Sequence, residues 1–250
     1  MHMVQNTVDL PGHHSQRFLG LFLATLVSVA WLSLHFYSMF IFDLSITVWP
    51  QVLVIAVVQC WLSVGIFIVC HDAMHGSLAP GWDRVNSLLG GTLIFLYAGF
   101  SWSKIRQAHF DHHKYTGSDN DPDFDTAHPN RFWPWYGTFF KRYFGLRSLI
   151  YVHSVVGIYL FVFDISFLKI FLLYGIPALF SSLQLFYFGT YRPHRQTQNF
   201  VDRHNARSDN FSVLVSLASC FHFGYHLEHH RRPDVPWWSL PRARRAGVGL

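Results

Sequence analysis

Glutamate is almost missing from this chain: of its 14 acidic residues, only Glu228 is a glutamate. Carboxylate-rich di-iron bundles need several inward-facing glutamates, including paired Glu-x-x-His motifs, so that class is excluded. Cysteine is scarce as well. Cys60, Cys70 and Cys220 form no CxxC pair, which excludes a disulfide scaffold and a zinc-ribbon site. Charge is the third shortage. Charged residues make up 13% of the 250 positions, whereas a soluble domain carries about 25%. Disorder is excluded too, because disordered chains are poor in aromatics, and here aromatics reach 18%. The net charge of +5 comes without a Lys/Arg stripe on a polar background, so basic loops beside a membrane explain it better than nucleic-acid binding.

What the chain has in quantity is apolar sequence, at 51%. About 20 apolar residues cross a bilayer as a helix. Four segments are expected to do so, at about 18–42, 48–70, 149–163 and 167–188, the third being short. Asp164–Ser166 is the turn between the last two. The expected external stretches, 43–48 and 164–169, contain only Lys169 of the 19 Lys and Arg residues. Positive charge accumulates on the cytoplasmic side, so both termini are expected there. No basic region precedes a short apolar core at the N-terminus, so 18–42 reads as a retained helix after a tail at 1–17. Segments 85–100 and 211–223 read as interfacial or re-entrant helices, and 101–148 as a cytoplasmic cap. The expected fold is one domain over 1–250: an all-α integral membrane protein, four transmembrane helices in two hairpins, with a helical cap holding a histidine-rich dinuclear metal site.

The 17 histidines carry the chemistry. His71 and His75 stand four apart, on one helical face. His109, His112 and His113 form HxxHH, and His226, His229 and His230 form a second HxxHH. Adjacent histidines on a helix diverge by about 100°, so each HH pair can reach two different ions. Imidazole binds metal in its neutral form and suits iron, zinc and copper. Eight imidazoles exceed the four ligands of a structural zinc, which points to two ions with open positions. His194 lies just past the fourth span and is placed to add a ligand. His222, four residues before His226, is read as either a ligand or a supporting partner. His204 is expected to be structural or supporting, His35 and His153 to pack within spans, His128 to lie in a loop, and His2, His13 and His14 to be surface residues.

Ligating histidines donate their other ring N–H to a carboxylate or carbonyl. Asp72, Asp111 and Glu228 stand beside ligands and are the expected acceptors. The acidic run SDNDPDFD (118–125) lacks the Gly and Glu of an EF-hand. It is read as support for the site.

At these motifs the chain resembles the membrane fatty-acid-desaturase-like superfamily and, within it, the bacterial β-carotene ketolases. The resemblance rests on WLSVGIFIVCHDAMHGSLAPG (61–81), HFDHHKYTGSDNDPDF (109–124), LQLFYFGTYRPHR (183–195) and CFHFGYHLEHHRRPDVPWWSLP (220–241). It covers nearly everything after about residue 15. The resemblance implies a di-iron oxygenase that uses O2 and electrons from ferredoxin or a similar donor. It further implies oxidation of carbon 4 of a β-ionone ring to a ketone, in the bacterial inner membrane. It implies ligands at His71, His75, His109, His112, His113, His226, His229 and His230. Related desaturases use an N-x-x-x-H motif after the last span; Thr190-x-x-x-His194 stands there, with threonine for asparagine. The last ligand of the second iron is thereby open between His222 and water. Trp102, Trp237 and Trp238 are expected either at the ring's path from lipid or in the interfacial aromatic belt.

Other functions share parts of this pattern. An acyl-lipid desaturase or hydroxylase has the same boxes. A membrane metal carrier would need ionisable groups along its spans, and a zinc-binding scaffold would work with zinc alone.

Overall fold

The computed structural model describes residues 12–45 and 48–247; His2 lies outside them. Every regular element among the described residues is helical. The helices are α1 His13–Ile41, α2 Trp49–His75, α3 Asp83–Ala98, α4 Trp102–Tyr115, α5 Phe132–Tyr143, α6 Leu146–Phe161, α7 Phe167–His194, α8 Val213–Cys220, α9 His226–Arg231 and α10 Leu240–Arg245.

Three of them, α1, α2 and α7, are long and apolar enough to cross a membrane. Two bent pairs raise the number to five if each is one span: α3 with α4 at 101°, and α5 with α6 at 82°. The expected four corresponds to counting α5–α6 as crossing and α3–α4 as turning back. The third expected span falls on α6, which has 16 residues. That is about 24 Å of helix, short of the ~30 Å hydrocarbon layer, so α6 needs α5 to complete a crossing.

Local sequence explains how the long helices reach the site. α2 starts with Pro50 in its first turn, where a missing N–H costs nothing. It stops at Gly76, whose φ of 73° closes the helix directly after His75. α7 contains two prolines, Pro177 and Pro193. Each follows a wider π-helical turn, Phe171–Gly175 and Tyr187–Tyr191. The extra residue absorbs the clash and the lost hydrogen bond that proline brings. α7 therefore runs on for 28 residues and delivers His194 at its end.

Burial divides α2 in two. Leu53, Val54 and Val57 near its start are exposed, as lipid-facing residues are, while Val64, Ile66, Ile68, Val69 and Cys70 are fully buried. Helices in lipid associate through close packing rather than through escape from water. Gly65 shows the consequence: a Cβ there would sit 2.5 Å from the Phe221 ring. Phe221, at φ 46°, closes α8 and stacks on Trp61 with centroids 4.5 Å apart. This packing brings the 221–231 segment over the C-terminal end of α2.

Candidate metal centre

Nine histidines converge where the ends of α2, α4, α7 and α9 meet, and they fall into two groups. His71, His75, His109, His113 and His229 form one. His112, His194, His226 and His230 form the other. Within each group the ligand atoms lie within 4.8 Å of one another. Neighbours in sequence go to different groups: His112 and His113 part company, and so do His229 and His230. The groups adjoin through His113 and His230, whose rings stack at 4.2 Å.

The inward nitrogens are crowded. Nε2–Nε2 separations are 2.6 Å for His75–His109, 3.1 Å for His71–His229 and 3.0 Å for His229–His113. In the second group they are 2.9 Å for His194–His226 and 3.0 Å for His230–His226. Neutral imidazoles with lone pairs this close repel unless a proton or cation lies between them. Adjacent donors on one ion, at metal–nitrogen distances of about 2.1 Å, have similar spacing. Burial, followed by the neighbouring imidazoles, pushes His226, His229 and His230 well below the ordinary histidine range. They are then neutral at physiological pH, the form that binds metal. The donor set fits two ions.

The opposite ring nitrogens explain how the rings are held. His71 Nδ1 lies 3.3 Å from Asp72 Oδ1, His112 Nδ1 2.9 Å from Asp121 Oδ1, and His194 Nδ1 2.8 Å from the Asn205 carbonyl. Each contact leaves Nε2 free to face the cluster. Asp121 is itself fixed: it accepts from the Gly117 and Asp123 amides, both at 2.8 Å. Burial raises its pKa, but His112 and these amides outweigh that and lower it overall.

The remaining expected residues separate. Asp72 lies beside His71 and also accepts the Trp237 amide at 2.9 Å. Asp111 accepts from Gln107 at 3.0 Å and lies on the outer side of α4. Glu228 is fully buried and anchors α9. It accepts from Arg244 at 2.8 Å and from the Ser208 hydroxyl, while Ser208 accepts the Leu227 amide at 3.0 Å. His222, at φ 67°, lies outside both groups, its ring stacked near Tyr225 and Trp237. His204 has its ring 6.3 Å from His230. His35 meets Tyr159 at 2.6 Å and His153 the Leu149 carbonyl at 2.8 Å, both away from the cluster. Asp121 sits in the acidic run singled out as support; the Asn205 carbonyl had no side-chain signal to reveal it.

A mainly apolar cavity of about 300 Å³ leads to the histidines. Phe67, Phe100, Phe139, Leu185 and Phe223 are among its walls, and it touches both groups through His71, His109, His112 and His226. Asp123 and Tyr143 also line it, whereas Trp102, Trp237 and Trp238 do not. No periodicity in the sequence marked this lining, because it comes from separate segments spread between Phe67 and His226.

A family model described as fatty acid desaturase matches residues 44–156 and 143–248. The chain is 43% identical over 239 residues to a beta-carotene ketolase from a Paracoccus strain, covering 95% of this chain and 97% of that protein. A beta-carotene ketolase from a second Paracoccus strain is 44% identical over 225 residues, covering 88% and 90%. A beta-carotene ketolase from Haematococcus lacustris is 34% identical over 198 residues, covering 76% and 61%.

Proposed function

The chain belongs to the fatty acid desaturase family, and on that premise we propose that it is a β-carotene ketolase. It converts the carbon-4 methylene of a β-ionone ring to a ketone, taking β-carotene to echinenone and then canthaxanthin. Each oxidation consumes one O2, two electrons and two protons and releases one water as C–H becomes C–OH. A second oxidation of the same carbon gives a geminal diol, which loses water to leave the ketone.

The observation that carries this reading is the joining of two imidazole groups to one apolar cavity. One iron would be held by His71, His75, His109, His113 and His229, the other by His112, His194, His226 and His230. When bound, the two irons supply the activation of O2. The chain's own residues supply position. Asp121, Asp72 and the Asn205 carbonyl orient three ligands. Phe67, Phe100 and Phe223 give the ring an apolar, water-poor bed. A cavity of about 300 Å³ takes one terminal ring, so the polyene lies towards the lipid-facing helices.

The centre opens to the cytoplasmic side of a bacterial inner membrane, with both termini there. Electrons come from a soluble, ferredoxin-like protein. Arg195, Arg203 and Arg207 lie around the segment that carries His194 and His204, and their charge suits an acidic donor.

The test is expression in a bacterium engineered to accumulate β-carotene, with chromatography and mass spectrometry of the pigment and metal analysis of the purified protein. Echinenone and canthaxanthin, with about two irons per chain, are expected. Unchanged β-carotene together with altered acyl chains would replace this reading with an acyl-lipid oxidase.

A further inference from the structure

The acidic run 118–125 does two different things. Asp121 turns towards His112. Asp123, two residues on, lines the apolar cavity and is the only carboxylate among the described residues that line it. Its backbone is clamped on both sides: the amide donates to Asp121 at 2.8 Å, and the carbonyl accepts from Trp135 Nε1 at 2.7 Å. Its Oδ1 accepts from the Tyr143 hydroxyl, which also borders the cavity. Its Oδ2 accepts no hydrogen bond among the described residues and lies 3.9 Å from His112 Nδ1. Apart from this long charge contact with His112, Oδ2 stands on a wall built largely of phenylalanines. Polar groups in such places are kept in hydrogen bonds, and this one has an acceptor to spare.

The proposed reaction creates a partner for it. After the first oxidation the ring carries a hydroxyl on the carbon that must react again. The remaining C–H has to face the metal centre, so the hydroxyl must turn aside into the cavity wall. In an apolar cavity an unpaired hydroxyl is disfavoured, and the alcohol would tend to leave half-oxidised. We propose that Asp123, with Tyr143, forms a hydroxyl-binding subsite that retains the carbon-4 alcohol and directs it to the ketone. The hydroxyl donates to Asp123 Oδ2, while Tyr143 holds the carboxylate through Oδ1. No covalent step occurs at either residue. The inference rests on the ketolase reading and adds to it a reason why oxidation continues at the same carbon.

The experiment compares wild type, Asp123→Asn and Tyr143→Phe in β-carotene-accumulating cells, reading the ratio of 4-hydroxy to 4-keto carotenoid. The ratio is compared at matched conversion of β-carotene, because a released alcohol can rebind and a smaller amount of folded enzyme would also raise it. Asp123→Asn is expected to raise it at least tenfold, and Tyr143→Phe to raise it by a smaller factor. Membranes are also supplied with the synthetic 4-hydroxy carotenoid, where a higher KM for ketone formation is expected in both variants. An unchanged ratio and KM alongside reduced turnover would overturn the subsite and leave the ketolase reading intact. If Asp123→Asn yields no folded protein, Tyr143→Phe alone decides by the same two readouts. Absence of any 4-oxygenated carotenoid from the wild type would overturn both.

Discussion

The two imidazole groups are built by different means. The five-member group stands mainly on two helices, with His71 and His75 from α2 and His109 and His113 from α4. Three of its rings, those of His75, His109 and His113, remain partly exposed. The four-member group gathers single residues from α4 and α7 and two from α9, and all four are buried. Support differs in the same direction. Within the larger group, only His71 has an acceptor on its outer ring nitrogen among the described residues. In the smaller group, His112 and His194 are held by Asp121 and Asn205. Helical spacing arranges the first group with little help. The second depends on long-range packing and on partners at two of its four rings, while His226 and His230 Nδ1 have no hydrogen-bond partner among the described residues, so each of its members has less redundancy.

The sharpest way to break this comparison is to remove one ligand from each group. His194→Ala leaves three imidazoles in its group and is expected to lower ketone formation by more than about 100-fold, exceeding the 10–100-fold typical of lost supporting partners. Metal analysis should show loss of about one ion of two. His75→Ala leaves four, the number a structural zinc uses, so the fall should be smaller. Equal losses would mean that the groups act as one undivided cluster.

The second prediction tests support rather than ligation. Asp121→Asn should cost about 10–100-fold in activity or metal affinity, while Asp111→Asn should stay within about twofold. Both aspartates lie close to histidines in the chain, and sequence favoured Asp111. The structure turns Asp111 outward to Gln107 and, by the loop after Tyr115, brings Asp121 back to His112 nine positions earlier. Helical periodicity told which residues share a face, and so the alternation of His112 with His113 and of His229 with His230 was legible. It could not tell how the loop after α4 folds back, nor that a backbone carbonyl at Asn205 would hold His194. The long apolar helices α1, α2 and α7 were legible for the same reason as the boxes: each is a local pattern. The bends between α3 and α4 and between α5 and α6 were not, because they follow from packing between distant segments.

A smaller effect is expected at Glu228, which serves the four-member group through α9 rather than through a ring. Glu228→Gln keeps the side chain's shape but weakens the bond to Arg244 and leaves the amide to share Ser208. The expected cost is about 1–3 kcal/mol, seen as a lower thermal-inactivation midpoint in detergent. Metal stoichiometry at low temperature should be kept. Loss of metal with no change in that midpoint would instead make Glu228 part of the centre.

The smallest effect should come from a histidine pair that belongs to neither group. His13 and His14 are adjacent, like His112 and His113, yet both are exposed at the first turn of α1. Proximity in sequence therefore does not bring a histidine pair into a cluster; the convergence of a second and third helix does. His14 packs its ring near Phe18 at 4.8 Å, and His13 has no ring or hydrogen-bond partner among the described residues. His13→Ala is expected to change stability by less than about 0.5 kcal/mol and to leave pigment composition and bound metal as in the wild type. An inactive His13→Ala enzyme would mean that the N-terminal segment reaches the centre, and the contrast between convergent and solitary histidine pairs would fail.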